Sequence, residues 1–190
     1  MFGGKQNMKK QVCVFLADGF EEIEGLTVVD LLRRAGIEVT TVSITGSNTI
    51  HGAHGIDVLA DKLFEEADFE KQDMLVLPGG MPGTLHLGAH EGVKAELEKA
   101  FAAGKYLAAI CAAPSVLGKY GFLNGKKATS YPGFEEQLVG AEYVLDAVAV
   151  DGTVITSRGM GTAIPFSLSL IEQLLDAETA AKLGKAIIYG

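Results

Sequence analysis

The chain has 190 residues, 48% of them hydrophobic and 21% charged, with a net charge of −8. That composition belongs to one ordinary globular domain, read here as spanning 1–190, with room for a sizeable core. The acidic balance argues against nucleic acid or an anionic membrane as partner, and no run nears the roughly 18 apolar residues of a membrane helix.

Residues 1–9 are polar and Gly-bearing, and read as a short leader or a disordered segment. Gln11–Leu16 reads as a first buried strand that ends at Asp18-Gly19. The apolar run 12–17 is too short for a signal peptide, and no cleavage pattern follows it. Residues 21–34 carry Ile23, Leu26, Val29, Leu31 and Leu32 at helical spacing, closed by Gly36. A second strand is expected over 38–44, two short strands around Gly52 and Gly55 within 49–59, and a short acidic helix or turn over 63–69. Met74–Leu77 is a fully apolar strand stopped by Pro78-Gly79-Gly80-Met81-Pro82-Gly83, a loop whose backbone comes close to something.

The spacing of Val93, Leu97 and Phe101 predicts an amphipathic helix over 91–103, capped by Gly104. Tyr106–Ile110 is an unbroken apolar run, the pattern of a strand buried on both faces. A short helix starts at Pro114, where a missing N–H costs nothing. Then come a strand at 127–130, a helix at 134–139, strands at 143–150 and Val154–Ser157 around the Asp151-Gly152 turn, and closing helices at 162–175 and Ala177–Ala186. Strands alternating with helices predict an α/β sheet covered on both faces, with ligands outside the carboxyl ends of the strands. Three loops converge there: 18–24, 78–83 and 111–114.

Cys111 falls at the strand-to-helix junction. Such an elbow lifts a nucleophile to the sheet's carboxyl end, and a helix N-terminus favours a thiolate. The commoner role of a lone cysteine is a small buried apolar residue. Cys13 and Cys111 lie in separate apolar strands, which suits a reducing compartment better than a disulfide framework, so a cytoplasmic protein is expected. Glu24, one turn into the first helix, is the carboxylate best placed to reach the cysteine. Charged, it would repel a thiolate; protonated, it would donate a hydrogen bond to the sulfur. A solvated helix-start glutamate beside Glu21 and Glu22 is the plainer alternative. The N–H groups of Gly80 and Ala112 are candidates for an oxyanion hole, or else belong to ordinary turns.

None of the four histidines, His51, His54, His86 and His90, adjoins or follows Cys111, so a Cys-His pair has no evident base. No residues have metal-ligand spacing, no phosphate-binding glycine motif is present, and no cofactor is expected.

Four stretches in order, Leu16-Ala17-Asp18-Gly19-Phe20-Glu21-Glu22-Ile23-Glu24, Leu77-Pro78-Gly79-Gly80, Ala108-Ala109-Ile110-Cys111-Ala112-Ala113-Pro114 and Thr156-Ser157-Arg158-Gly159-Met160-Gly161-Thr162, closely resemble the DJ-1/ThiJ/PfpI superfamily, nearest its DJ-1 and YajL branch. The resemblance runs from about Lys10 to the C-terminus. It implies a flavodoxin-like sandwich of the class I glutamine amidotransferase type, with a mostly parallel central sheet between helices, usually a homodimer whose interface includes the first helix. It implies that Cys111 is the reactive cysteine, oxidisable to a sulfinate, that Glu24 is its protonated partner, and that the amides of Gly80 and Ala112 surround the sulfur. Gly79, Tyr131, Arg158, His54 and Arg34 become pocket candidates, the last three as a basic group near the pocket and dimer seam.

Three departures narrow the reading. His54 stands where an arginine is usual, and Tyr131 stands where DJ-1 proteins carry a histidine. A tyrosine is a poor base near neutral pH. Cys111 is followed by Ala112 and not by histidine, which argues against a PfpI-type peptidase. The implied activity is a cofactor-independent glyoxalase or deglycase acting on methylglyoxal or early glycation adducts. The alternative is a redox sensor or redox-regulated chaperone using the same cysteine.

Overall fold

Strand β1 (Gln11–Leu16) lies at the centre of the molecule because its side chains are apolar on both faces. In the computed structural model, which describes residues 9–190, Val12, Val14 and Leu16 face one apolar cluster while Cys13, Phe15 and Ala17 face the other. The expectation of a leader over 1–9 falls, Lys9 apart, outside the described residues. Helix α1 (Glu22–Arg34) returns the chain to β2 (Glu38–Ser43), which pairs parallel to β1 in the register Gln11↔Glu38. A small hairpin, β3 (Thr49–His51) with β4 (Asp57–Leu59), follows, and β5 (Lys62–Leu63) closes that edge of the sheet.

On the other side of β1 stands β6 (Met74–Leu77), followed by α2 (Gly83–Ala89) and α3 (Glu91–Ala102). Strand β7 (Tyr106–Ile110) pairs with β6, and α4 (Pro114–Lys119) leaves from its carboxyl end. The chain then makes β8 (Lys127–Ala128), β9 (Glu142–Tyr143), β10 (Val148–Asp151) and β11 (Val154–Ser157), and ends in α5 (Ala163–Leu174) and α6 (Ala177–Ala186). The main sheet has seven strands in the order β10-β11-β7-β6-β1-β2-β5, all neighbours parallel except β10 against β11. Helices α1 and α5 cover one face and α2, α3 and α4 the other, as the alternating pattern predicts. No helix among the described residues is long and apolar enough to cross a membrane.

Residues 83–89, where the sequence reading placed no helix, coil into α2, whose buried side includes Thr84, Leu87 and Gly88. Three local expectations need correcting. The strand expected at 143–150 is two short strands separated by an open stretch at 144–147, in which Leu145 is exposed and pairs with no sheet. The strand at 127–130 pairs only at Lys127–Ala128, and the helix at 134–139 is a single 3₁₀ turn at Glu135–Gln137.

Candidate active site

Three residues turn the chain from β7 into α4, and Cys111 is the first of them. Its φ is +66°, a left-handed conformation that costs a non-glycine residue on the order of 1–3 kcal/mol. Neighbouring backbone holds it there. The Cys111 N–H donates to the Ser157 carbonyl at 3.0 Å, and its carbonyl accepts the Tyr131 N–H at 2.8 Å. The segment after β8 and the end of β11 thus impose the turn, and the half-buried thiol is presented at the carboxyl edge of the sheet.

Glu24 reaches the same point from the first turn of α1 and is only 1% exposed. Its Oε2 accepts the Gly79 N–H at 3.0 Å, while Oε1 has no aligned partner. The thiol lies beside this carboxyl, with Gly79 against both. Burial pushes Glu24 up to about 7, against the hydrogen bonds from Cys111 and Gly79, with the charge of Glu21 adding a little. Burial also pushes the thiol up to about 12, and the charge of Glu24 comes next. The N–H groups of Ala112 and Gly80 hydrogen-bond the sulfur and pull the other way.

A thiolate favoured by a helix N-terminus was the expectation from sequence, and here burial and the neighbouring carboxylate outweigh it. Helix α4 has only six residues, so its dipole adds little beyond its first free N–H groups. The pair therefore behaves as one site. Ionising both groups is costly, so the titration belongs to the pair: both carry a proton below about pH 7, and one proton is left above it. When that proton sits on Glu24, the repulsion is gone and two N–H donors face the sulfur.

The two glycines are required by space. A Cβ at Gly79 would lie 2.5 Å from Glu24 Oε2 and 2.6 Å from the Cys111 Cβ. Gly80, at φ +93°, would drive a Cβ into the Glu21 nitrogen. Tyr131 adjoins the pocket, since a Cβ on Gly159 would sit 3.3 Å from its ring and 3.9 Å from Glu24 Oε1. Its ring is half exposed, and the contact it makes to Cys111 is through the backbone.

The basic group does not assemble at the cysteine. Arg34 lies ten residues along α1 from Glu24, about 15 Å at helical rise, and pairs with Asp30 at 2.7 Å. Arg158 follows β11 beside the pocket but turns its guanidinium to the Leu145 carbonyl, 3.4 Å away. His54 is spent on two acids: its N–H donates to Glu22 Oε1 at 2.7 Å, and Nδ1 lies 3.0 Å from Glu22 Oε2 and 3.5 Å from Glu21 Oε2. Each of these groups is taken up by a carboxylate or carbonyl of its own. Sequence reasoning missed Glu22, a buried carboxylate taken for part of a solvated acidic cluster. Its partner is 32 residues away in sequence, and no local signal links the two.

Comparison with known proteins bears on this geometry. The family model for the DJ-1/PfpI family matches residues 10–173. Protein dj-1beta of Drosophila melanogaster is 40% identical over 95% of this chain and 98% of its own. The structure of oxidized Toxoplasma gondii DJ-1 superposes with a TM-score of 0.92 at 38% identity, covering 95% of this chain and 99% of that one. A protein of Pyrococcus abyssi named deglycase PYRAB04690 is 36% identical over 80% of this chain and 91% of its own. With the fold, the elbow and these matches in agreement, the chain belongs to the DJ-1/PfpI family.

Proposed function

We propose that this chain is a cysteine-dependent, cofactor-independent enzyme of the glyoxalase/deglycase type, acting on methylglyoxal or on its early adducts with amines and thiols. The observation that carries the reading is the Glu24–Cys111 pair, a buried carboxyl beside a half-buried thiol with two N–H groups facing the sulfur. The deglycase name of the archaeal relative supports the same kind of chemistry.

In this reading the Cys111 thiol hands its proton to the Glu24 carboxylate as sulfur attacks the aldehyde carbon of methylglyoxal. The carbonyl oxygen becomes an alkoxide held by the N–H groups of Gly80 and Ala112, and takes a proton to give a hemithioacetal. Glu24 then moves the C1 proton to C2, leaving a lactoyl thioester, and water releases lactate and the free thiol. The sum is methylglyoxal plus water to lactate, with no external oxidant or reductant. Tyr131 supplies no base in this scheme, and turnover is accordingly slow. A second copy of the chain is expected to cover the exposed apolar residues Ile23, Leu26, Ile56 and Ile164 on the α1 side, which sedimentation would reveal as a dimer.

The redox-sensor reading is favoured by the half-buried thiol beside a carboxyl able to hydrogen-bond a sulfinate oxygen, and by a relative seen in an oxidized form. The deciding experiment measures lactate from methylglyoxal and the oxidation state of Cys111 on one preparation. Saturable lactate production that is lost in both Cys111→Ser and Glu24→Gln supports the enzyme. No lactate above buffer, with oxidation that stops at the sulfinate under mild peroxide, replaces it with the sensor.

A further inference from the structure

Glu22 and Glu24 both leave the first turn of α1, and both are buried, but Glu22 is directed to the β3–β4 turn. Both its oxygens are used on His54, one on the N–H at 2.7 Å and the other on Nδ1 at 3.0 Å. A carboxylate can only accept, so Nδ1 carries hydrogen in this contact and Nε2 is the nitrogen that titrates. The turn is shaped around the carboxylate: a Cβ on Gly52 would collide with the Glu22 side chain.

The same hairpin clasps the segment that precedes α1. The Gly19 N–H donates to the His51 carbonyl at 2.7 Å, the Ala53 N–H to the Phe20 carbonyl at 2.9 Å, and the His51 N–H to Asp18 Oδ1 at 2.9 Å. That segment in turn touches the pocket, because the Glu21 N–H donates to the Gly79 carbonyl at 2.9 Å and Gly80 lies against Gly19 and Glu21. Hydrogen bonds along this segment thus lead from His54 to Gly79, whose N–H faces Glu24, and Gly80, whose N–H faces Cys111, packs against the same segment.

We propose that Glu22 and His54 are positioning residues that form a proton-operated latch: protonated His54 clamps the β3–β4 hairpin to Glu22 and holds Gly79 and Gly80 in place over Cys111, and loss of that proton loosens both. The inference rests on the reading of Cys111, Glu24 and Gly80 as the reactive site. The Glu22 carboxylate already makes this hydrogen bond charge-assisted, and protonation of His54 adds to it the modest attraction of a partly exposed ion pair.

The directions agree. The hydrogen bond to Glu22, then the charges of Glu21 and Glu22, raise His54 above its ordinary value, and the His54 contacts lower Glu22 despite its burial. A histidine raised in the folded state contributes fully below its unfolded value, about 6.5, and the contribution is lost as pH rises through the folded value. The other titratable groups around the latch are Glu21 beside His54, Asp18, which accepts the His51 N–H, His86, whose Nδ1 lies 3.0 Å from the Asp18 carbonyl, and two ion pairs. His51 binds Asp57 at 2.7 Å on the hairpin and Arg34 binds Asp30 at 2.7 Å on α1. The residues of α5 and α6 lining this face, Ile164, Ala186 and Ile187, are uncharged.

Nuclear magnetic resonance of the intact protein tests the latch without relying on turnover. His54 is expected to titrate above 6.5, and the exchange protection of the Ala53 and Gly19 amides to fall about fivefold as pH rises through that midpoint. In Glu22→Gln the midpoint drops to 6.5 or below. His54→Arg, charged throughout, keeps the protection flat with pH, and carries the test alone if Glu22→Gln does not fold. A wild-type midpoint at or below 6.5, or protection independent of pH, overturns the latch. The coupling to the pocket is read by iodoacetamide alkylation of Cys111, which shows an inflection at the His54 midpoint in the wild type and none in His54→Arg. Identical alkylation profiles overturn the coupling, whereas absence of lactate production would count only against the proposed enzyme activity.

Discussion

The two cysteines of this chain sit on strands of the same sheet, two positions from each other across it, and have opposite prospects. Cys13 lies in the middle of β1, 1% exposed, and burial pushes its thiol far up, with the charge of Glu96 adding to the effect. Cys111 lies just past the end of β7 and is also pushed up, to about 12. Position alone therefore does not separate them, since desolvation is the largest cause in both. The difference is what stands beside the sulfur. Cys111 has a carboxyl that can take its proton and two N–H groups that can hold the charge left behind, and its strained backbone keeps all three in reach. Cys13 is fully buried, whereas Cys111 is half-buried with a carboxyl beside it.

The largest effect expected from this contrast is at the sulfurs themselves. Cys111→Ser should reduce lactate production on the order of 10³-fold or more. Cys13→Ser should leave it nearly unchanged and instead lower stability by about 1–3 kcal/mol, because a hydroxyl is buried without a partner. Equal losses of activity in the two variants would erase the distinction.

Glu24→Gln should lower kcat by about 10²- to 10⁴-fold, the range of a lost general acid–base. The same change should stabilise the protein at alkaline pH. Glu24 is raised from 4.5 to about 7 in the fold, so the folded state binds an extra proton between those values and its ionisation penalty is complete only above pH 7. Denaturation at pH 8 should show a gain on the order of 3 kcal/mol over wild type, shrinking towards zero near pH 4.5. No difference between the two pH values would mean that Glu24 is not the proton partner.

Gly79→Ala should cost about 1–3 kcal/mol by overpacking and displace the carboxyl from Cys111, so that thiol reactivity and thermal midpoint fall together. The smallest effect belongs to Tyr131→Phe. Its link to Cys111 is a backbone N–H, which phenylalanine keeps, so activity should change by less than about threefold, against the hundredfold or more of a working base. A larger loss would give the phenol a chemical part.

What could be read from the chain was what depends on neighbours in sequence. The apolar runs at Gln11–Leu16, Met74–Leu77 and Tyr106–Ile110 are buried strands because each residue of a doubly covered strand needs an apolar side chain, and the Gly79-Gly80 pair announced a close approach of backbone. Helix α2 escaped notice because seven residues rich in glycine and small side chains carry too little periodicity to stand out after a Gly/Pro loop. Glu24 and Cys111 were legible as a pair only because both lie in the segments that follow the carboxyl ends of strands, where the topology gathers loops.

Tertiary structure decided the electrostatics. Glu22 and Glu24 are two residues apart in one acidic run, yet one clamps a histidine and is lowered, and the other meets a thiol and is raised. Arg34 and His54, expected at the pocket, are held by acids elsewhere. Patterning determines which segments are buried, since burial follows the hydrophobic period of the chain itself. The charge state of a buried group depends on which groups the fold brings within a few ångströms of it, and those come from positions 32 to 87 residues distant, as His54 lies from Glu22 and Cys111 from Glu24.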